Sequence, residues 1–272
     1  MLCRRRAILR SLTQVIRRST LRTFSARMSS LPHDVRMFLH GYPDLDDDPR
    51  QNKNLQFYSN KRRCQPDNVL ISEIHEGWQG DYMTLEYNHG FIQWLFPIQE
   101  YGVNYQAQPL QRHEIEAMVA DPETMGRVIK SYRLMLDFYG MGLSSIETGL
   151  LSRSKPAEKC YERYNNLLRA PHNNLRISRI LKSLSELGLE RLNAGFVLHV
   201  LNEQSERNKL NEPTLTRSMD QWWANCIRND EERRWIRELI NRVRTDEDFV
   251  FTRQLYERAL ERRKETGKLD LD

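Results

Sequence analysis

The acidic side chains that come closest to a catalytic pair are Glu114 and Glu116. They are two positions apart, and side chains at that spacing point to different sides of a helix, so they are poorly placed for joint acid and base catalysis. The sequence also lacks the glycine-rich phosphate loops, the GxSxG serine motif, the kinase motifs and the HExxH zinc motif. We therefore predict no catalytic residues and a protein that is not an enzyme.

The histidines and cysteines do not have the spacing of a metal site. His75, His89 and His113 form no helical HxxxH pair. The four cysteines lie far apart, without a CxxC pair, which argues against both a zinc site and a dense disulfide framework. No metal and no cofactor is predicted.

Two groups of side chains are candidates for contacting a partner. Arg176, Arg179 and Lys182 fall on one side of a predicted helix and would contact an acidic partner; the alternative is a solvated basic edge. Trp222 and Trp223 are adjacent, so they point in different directions and cannot both enter one core layer. One of these two tryptophans is expected to cover a groove.

The densest apolar and aromatic run in the chain is the stretch from Asn88 to Pro97. We predict a helix from Tyr82 through Phe96, capped by Asp81 and ended by Pro97, which cannot donate a backbone hydrogen bond. His89 would share a face of this helix with Leu85 and Ile92, as a core histidine. Trp94 would be the packing anchor around which the core is built.

Apolar residues recur at helical spacing along most of the remaining chain. Cap signals such as Asp121-Pro122 at a helix start and Gly140 and Gly188 at helix ends accompany them. Residues 99–107 and 141–156 lack a periodic face and are predicted to be loops. The fold class predicted is all-α, a single compact multi-helix domain without repeats.

The positive charge is concentrated at the start of the chain. The first thirty residues contain eight arginines and no acid, so subtracting their +8 from the net charge of +5 leaves −3 for the rest. The folded body is therefore not expected to bind nucleic acid. The leader resembles a mitochondrial transit peptide, while a basic nuclear address, a membrane-surface segment and an arm without an address remain alternatives.

The composition predicts four parts of the chain: 1–30 as the Arg-rich leader, 31–53 as a short helix with an acidic linker, 54–243 as the helical domain, and 244–272 as a charged helical tail. No apolar stretch approaches the roughly 18–20 residues of a membrane-spanning helix. Peripheral association with a membrane remains open.

Four sequence blocks carry a family resemblance. They are 55–58 (LQFY), 80–82 (GDY), 88–97 (NHGFIQWLFP) and 176–184 (RISRILKSL). The chain resembles the opioid growth factor receptor family from about residue 54 to about residue 243. The resemblance does not include the long repeat-bearing tail of some members, so no function of that tail is carried over.

The resemblance implies a non-enzymatic receptor for the pentapeptide Met-enkephalin that restrains cell proliferation and is nuclear, perinuclear or membrane-associated. Such a ligand needs a carboxylate for its amine and aromatic surface for its rings. Trp78, Asp81, Tyr82 and Trp94 supply these types and are the predicted ligand contacts, unless they only cap and fill the core. Two alternatives remain: a helical scaffold that binds other proteins without a peptide hormone, and a mitochondrial protein if the leader is a transit peptide.

Overall fold

Helices dominate the computed structural model, which describes residues 31–271. In that range there are thirteen α-helices, a short 3₁₀ helix at Trp223–Asn225 and one antiparallel pair of strands. The helices are α1 His33–Leu39, α2 Lys53–Tyr58, α3 Ile71–Gly77, α4 Tyr82–Tyr87, α5 Ile92–Leu95, α6 Arg112–Ala120, α7 Pro122–Phe138, α8 Ala157–Arg169, α9 His172–Glu186, α10 Glu190–Arg207, α11 Pro213–Gln221, α12 Asp230–Thr245 and α13 Arg253–Thr266. The predicted all-α fold class is confirmed, and the predicted leader lies outside the described residues.

The core is organised around helix α10. All thirteen residues from Leu192 to Gln204 on this helix are buried, and it packs against α9, α12 and α13. A β-carbon at Gly195 would lie 1.9 Å from the carbonyl oxygen of Gly149, so only glycine at position 195 lets the loop that contains Gly149 approach the helix this closely. A helix buried on all sides explains why its apolar residues do not form a single stripe.

Residues 141–156 form a hairpin instead of the predicted loop. Strands β1, Met141–Leu143, and β2, Leu151–Arg153, pair with Gly142 opposite Ser152. The prediction was wrong because a three-residue strand is too short for its alternation to be read from the sequence. The hydroxyl of Tyr256 on α13 accepts from the Leu151 amide at 2.8 Å and donates to the Gly195 carbonyl at 2.9 Å, which fixes the hairpin between α10 and α13.

Side chains from both ends of the described chain enter the same core. Phe38 and Tyr42, near the start, are fully buried, as are Tyr256 and Leu260 on α13. The four-part division of the chain stays a prediction, but a fragment restricted to residues 54–243 would lack these side chains.

The predicted single helix from Tyr82 through Phe96 is wrong in its length. One helix ends at Tyr87 and a second helix begins at Ile92. Asp81 caps α4 as predicted, accepting from the Thr84 amide at 3.0 Å. The break is stabilised by a residue outside the segment. The guanidinium group of Arg176 donates to the carbonyl oxygens of Leu85 and Glu86, which in a continuous helix would accept from backbone amides of the next turn. Trp94 is buried as predicted, and its ring nitrogen donates to the Gln65 carbonyl at 3.0 Å.

No helix within residues 31–271 combines the length and apolar content that crossing a membrane would require.

Candidate functional site

A groove of about 800 Å³ runs between helix α9 and the segment that follows the α4 break. Its volume falls within the roughly 300–1,000 Å³ that is typical of ligand pockets. Helix α9 forms one wall, residues 98–106 form the other, and His89, Gly90, Ile92 and Gln93 lie between them. Four of the five predicted partner residues line this groove: Arg176, Arg179, Lys182 and Trp222.

Large apolar side chains surround the groove without being buried. Tyr101 is 78% exposed, Val103 96%, Tyr105 86% and Leu175 73%. Exposing this much apolar surface to water costs free energy, and burial against a bound partner would recover it. Contiguous apolar patches of this kind mark binding surfaces. Residues 99–107 form no helix or strand, as predicted, but the sequence analysis did not identify this rim.

Arg176 is engaged inside the protein. It is 6% exposed, and its two terminal nitrogens donate to the carbonyl oxygens of Leu85 and Asn88 at 2.7 Å each and of Glu86 at 3.2 Å. Burial lowers the pKa of this guanidinium group, although it stays charged at neutral pH. Because these carbonyls lie at the C-terminal end of α4, the cation also meets the negative end of the helix dipole.

Lys182 is also buried and is paired twice. Its ammonium lies 3.0 Å from the carboxylate of Asp34 and 2.8 Å from that of Glu100, and Glu100 additionally accepts from the Tyr42 hydroxyl at 2.8 Å. Burial opposes the charge on Lys182, but Glu100 and Asp34 outweigh that effect and raise the pKa of the ammonium. The pair fixes α9 to helix α1 and to the wall at residue 100.

Arg179 differs from its two neighbours because it lacks a carboxylate partner. Its Nε donates to the carbonyl oxygen of Phe96 at 2.8 Å, and none of the residues from 31 to 271 places a carboxylate within ion-pair distance of it. Burial lowers the pKa of Arg179 to about 10. The predicted basic edge is thus three cations in three different environments, and its role as a partner contact stays a prediction.

His89 lies in the groove, so its prediction as a core histidine was wrong. The side chain is exposed, because the break at Asn88 removes it from the face that Leu85 and Ile92 would have shared with it. Its ring meets that of His172 edge to face at 5.4 Å between centroids, and His172 Nε2 lies 2.8 Å from a carboxylate oxygen of Glu86. Burial lowers the pKa of His172, which favours the neutral ring.

The four predicted ligand contacts do not line the groove. Asp81 caps α4, and the hydrogen bonds from Thr84 lower the pKa of its carboxyl group. Tyr82 donates to Asp137 at 2.9 Å, with the guanidinium group of Arg163 4.4 Å from the ring centroid.

Trp78 packs edge to face on Phe91, with ring centroids 5.2 Å apart, and Trp94 is 1% exposed. The ligand-binding role of these four residues stays a prediction, and the structure gives each of them a structural partner.

The adjacent tryptophans lie on opposite sides of the groove wall. Trp223 is fully buried and its ring nitrogen donates to the Asn174 carbonyl at 3.1 Å, whereas Trp222 is partly exposed and lines the groove. The residues that the sequence analysis missed are Tyr101, Val103, Tyr105 and Leu175. Leu175 falls outside the apolar stripe of α9. A leucine outside the buried stripe of its helix is a sequence signal for an exposed apolar surface, and it could have pointed to the rim.

Comparison with known proteins finds relatives over most of the chain. A family model described as "Opioid growth factor receptor (OGFr) conserved region" matches residues 47–257. The opioid growth factor receptor of Mus musculus is 41% identical over 203 residues, 74% of this chain and 31% of the relative. The opioid growth factor receptor-like protein 1 of Mus musculus is 38% identical over 221 residues, 80% of this chain and 46% of the relative.

The opioid growth factor receptor of Homo sapiens is 39% identical over 221 residues, 79% of this chain and 32% of the relative. The chain therefore spans about a third to a half of the length of these curated relatives. No solved structure matches the chain. The matched region contains every groove residue except Asp34.

Proposed function

Because this chain belongs to the opioid growth factor receptor family, we propose that it is a receptor-like protein that binds a short opioid peptide, with Tyr-Gly-Gly-Phe-Met as the first ligand to test. The groove beside α9 is the proposed site. The observation that carries the proposal is its exposed rim of Tyr101, Val103, Tyr105 and Leu175. On the strength of the family alone, we extend the proposal to negative regulation of cell proliferation.

The chemistry of such a peptide fits the chemistry of the groove. Its two aromatic rings and its thioether would bury apolar surface against Tyr101, Tyr105 and Trp222. The proposal is binding without catalysis, since Lys182 and Arg176 are held by partners within the fold.

A second candidate function is a scaffold that binds another protein through helix α4. Met83 and Tyr87 on this helix are 66% and 68% exposed, and their four-residue spacing places them on one face. Neither residue lines the groove. This face would take an apolar partner surface without needing a peptide hormone.

Calorimetric titration of the whole chain with the pentapeptide tests the first proposal, with Trp222 fluorescence as a second readout. Replacing Tyr101 and Tyr105 by serine should weaken binding by tenfold or more, because two aromatic contacts and their buried area are lost. The matched control replaces Met83 and Tyr87 by serine and should leave the affinity unchanged.

The absence of both heat and fluorescence change at high micromolar peptide would contradict the peptide proposal. An equal loss of affinity in both double variants would contradict the groove as its site. The scaffold is favoured if the peptide does not bind and a protein partner is lost only from the Met83 and Tyr87 variant.

A further inference from the structure

The charges that line the groove do not balance. Three cations, Arg176, Arg179 and Lys182, meet two carboxylates, Asp34 and Glu100, so one positive charge remains when the histidines are neutral. Lys182 takes both carboxylates, and the charge of Arg176 is met by carbonyl oxygens at the end of α4. The remaining charge therefore belongs to Arg179, on which Glu100 acts through space without forming an ion pair.

Arg179 keeps its charge in an unfavourable place. Its one bond to a backbone oxygen, from Nε to Phe96, orients the guanidinium group without neutralising it. Withdrawal from water costs free energy that an ion pair normally offsets, and burial accordingly lowers the pKa of Arg179 to about 10. An anion delivered by a ligand would offset that cost.

The wall opposite Arg179 comes close to its guanidinium group at Gly102. A β-carbon at Gly102 would lie 3.1 Å from one terminal nitrogen, Nη1, of Arg179 and 2.7 Å from Cγ of Gln93. Only glycine at position 102 allows the wall to come this close, and Arg179 still lines the groove. A carboxylate has the flat shape and the paired oxygens that match the two-pronged donors of an arginine.

We propose that Arg179 binds the free C-terminal carboxylate of the peptide held in the groove, and so makes the site selective for peptides with an unblocked C-terminus. The proposal rests on the peptide-binding function above and adds the direction in which the peptide lies. Arg179 is half-buried beneath the loop of residues 98–106. A chain terminus can reach such a position, whereas a carboxylate in the middle of a peptide would require the chain to pass under the loop and out again. The last side chains then lie against the apolar rim that shares the groove with Arg179.

The experiment compares three peptides on the whole chain by calorimetry. The first is Tyr-Gly-Gly-Phe-Met with a free carboxylate, the second is its C-terminal amide, and the third is the amide of Tyr-Gly-Gly-Phe-Asp, which carries its only carboxylate on a side chain. The amide should bind about tenfold to a hundredfold more weakly than the free acid, the effect of one charge-assisted hydrogen-bonded pair. The aspartyl amide should bind like the plain amide.

Arg179→Gln should reduce the affinity for the free acid to that for the amide, and Arg179→Lys should restore part of the difference because it keeps the charge but loses the paired geometry. Arg258→Gln is the control, since Arg258 is an exposed arginine on α13, outside the groove. Circular dichroism checks that each variant is folded, and the comparison of the two ligands in the unmodified protein needs no variant.

Equal binding of acid and amide would overturn the role of Arg179 while leaving the peptide proposal intact. Tight binding of the aspartyl amide would overturn the choice of the terminal carboxylate. Failure of all three peptides to bind would overturn the peptide function together with this inference.

Discussion

Removing the cation of Arg176 should destabilise the fold, because this residue holds the break between α4 and α5. In Arg176→Met the side chain keeps an apolar stem but is shorter than arginine and loses every donor. Three carbonyl oxygens, those of Leu85, Glu86 and Asn88, lose the guanidinium donors that lie 2.7–3.2 Å away. The variant thus separates the internal role of Arg176 from a role on the surface.

The magnitude follows from the burial of those oxygens. The oxygen of Leu85 is buried and loses its partner at a cost of about 1–3 kcal/mol, whereas the other two are partly reached by water and cost about 1 kcal/mol each. The expected loss is about 3–5 kcal/mol, a large part of the roughly 5–15 kcal/mol of an ordinary domain. Arg176→Lys should lose about 1–3 kcal/mol, because one ammonium cannot span the positions of both terminal nitrogens.

Urea denaturation followed by tryptophan fluorescence measures these changes, provided that the slope against urea stays constant. Arg258→Gln, an exposed arginine on α13, should stay within about 0.5 kcal/mol of the unmodified protein. If Arg176→Met is as stable as that control, Arg176 does not hold the break and is a surface residue free to contact a partner.

Three further outcomes are expected from urea denaturation. Trp223→Phe should cost about 1–3 kcal/mol by losing packing and the bond to Asn174, whereas Trp222→Phe should leave stability nearly unchanged and remove the ligand-dependent fluorescence. Burial lowers the pKa of His199 to about 3 from 6.5, so its contribution to stability should be complete above pH 6.5. Between pH 6.5 and pH 3 the free energy of unfolding should fall by up to about 1.4 kcal/mol per pH unit, and the slope should be shallower in His199→Gln. Tyr256→Phe should cost about 1–3 kcal/mol, since both hydrogen bonds to the hairpin and α10 are lost while the ring stays buried. A cost below about 0.5 kcal/mol for Trp223→Phe or Tyr256→Phe would contradict the role of the lost hydrogen bonds. An unchanged pH slope in His199→Gln would contradict the effect of burial on His199.

The starts and ends of several helices were predicted correctly from their capping residues. Asp121 accepts from the amides of Glu123 and Thr124 at the start of α7, as the pair Asp121-Pro122 predicted, because a capping bond involves only neighbouring residues. Gly140 and Gly188 follow the ends of α7 and α9 with positive φ angles of 81° and 71°. The all-α class follows from the same local rules.

The groove could not be predicted because distant residues create it. The break at Asn88 depends on donors from Arg176, which lies 88 positions further along the chain, and the exposure of His89 follows from that break. Lys182 was placed on a helix edge by its spacing, but its burial depends on Asp34 and Glu100, which approach α9 from two other parts of the chain. The spacing of residues within a helix shows on which face of the helix a side chain lies. It does not show which other parts of the chain cover that face.

The groove beside α9 should be where the peptide binds. Mapping of backbone amide shifts by nuclear magnetic resonance, on the whole chain with and without Tyr-Gly-Gly-Phe-Met, tests it most directly. The largest changes should fall at Gly90, between the two walls of the groove, and at Gly102 and Val103, on the wall formed by residues 98–106. Changes centred on Trp78, Asp81 and Tyr82, or no changes at saturating peptide, would contradict it.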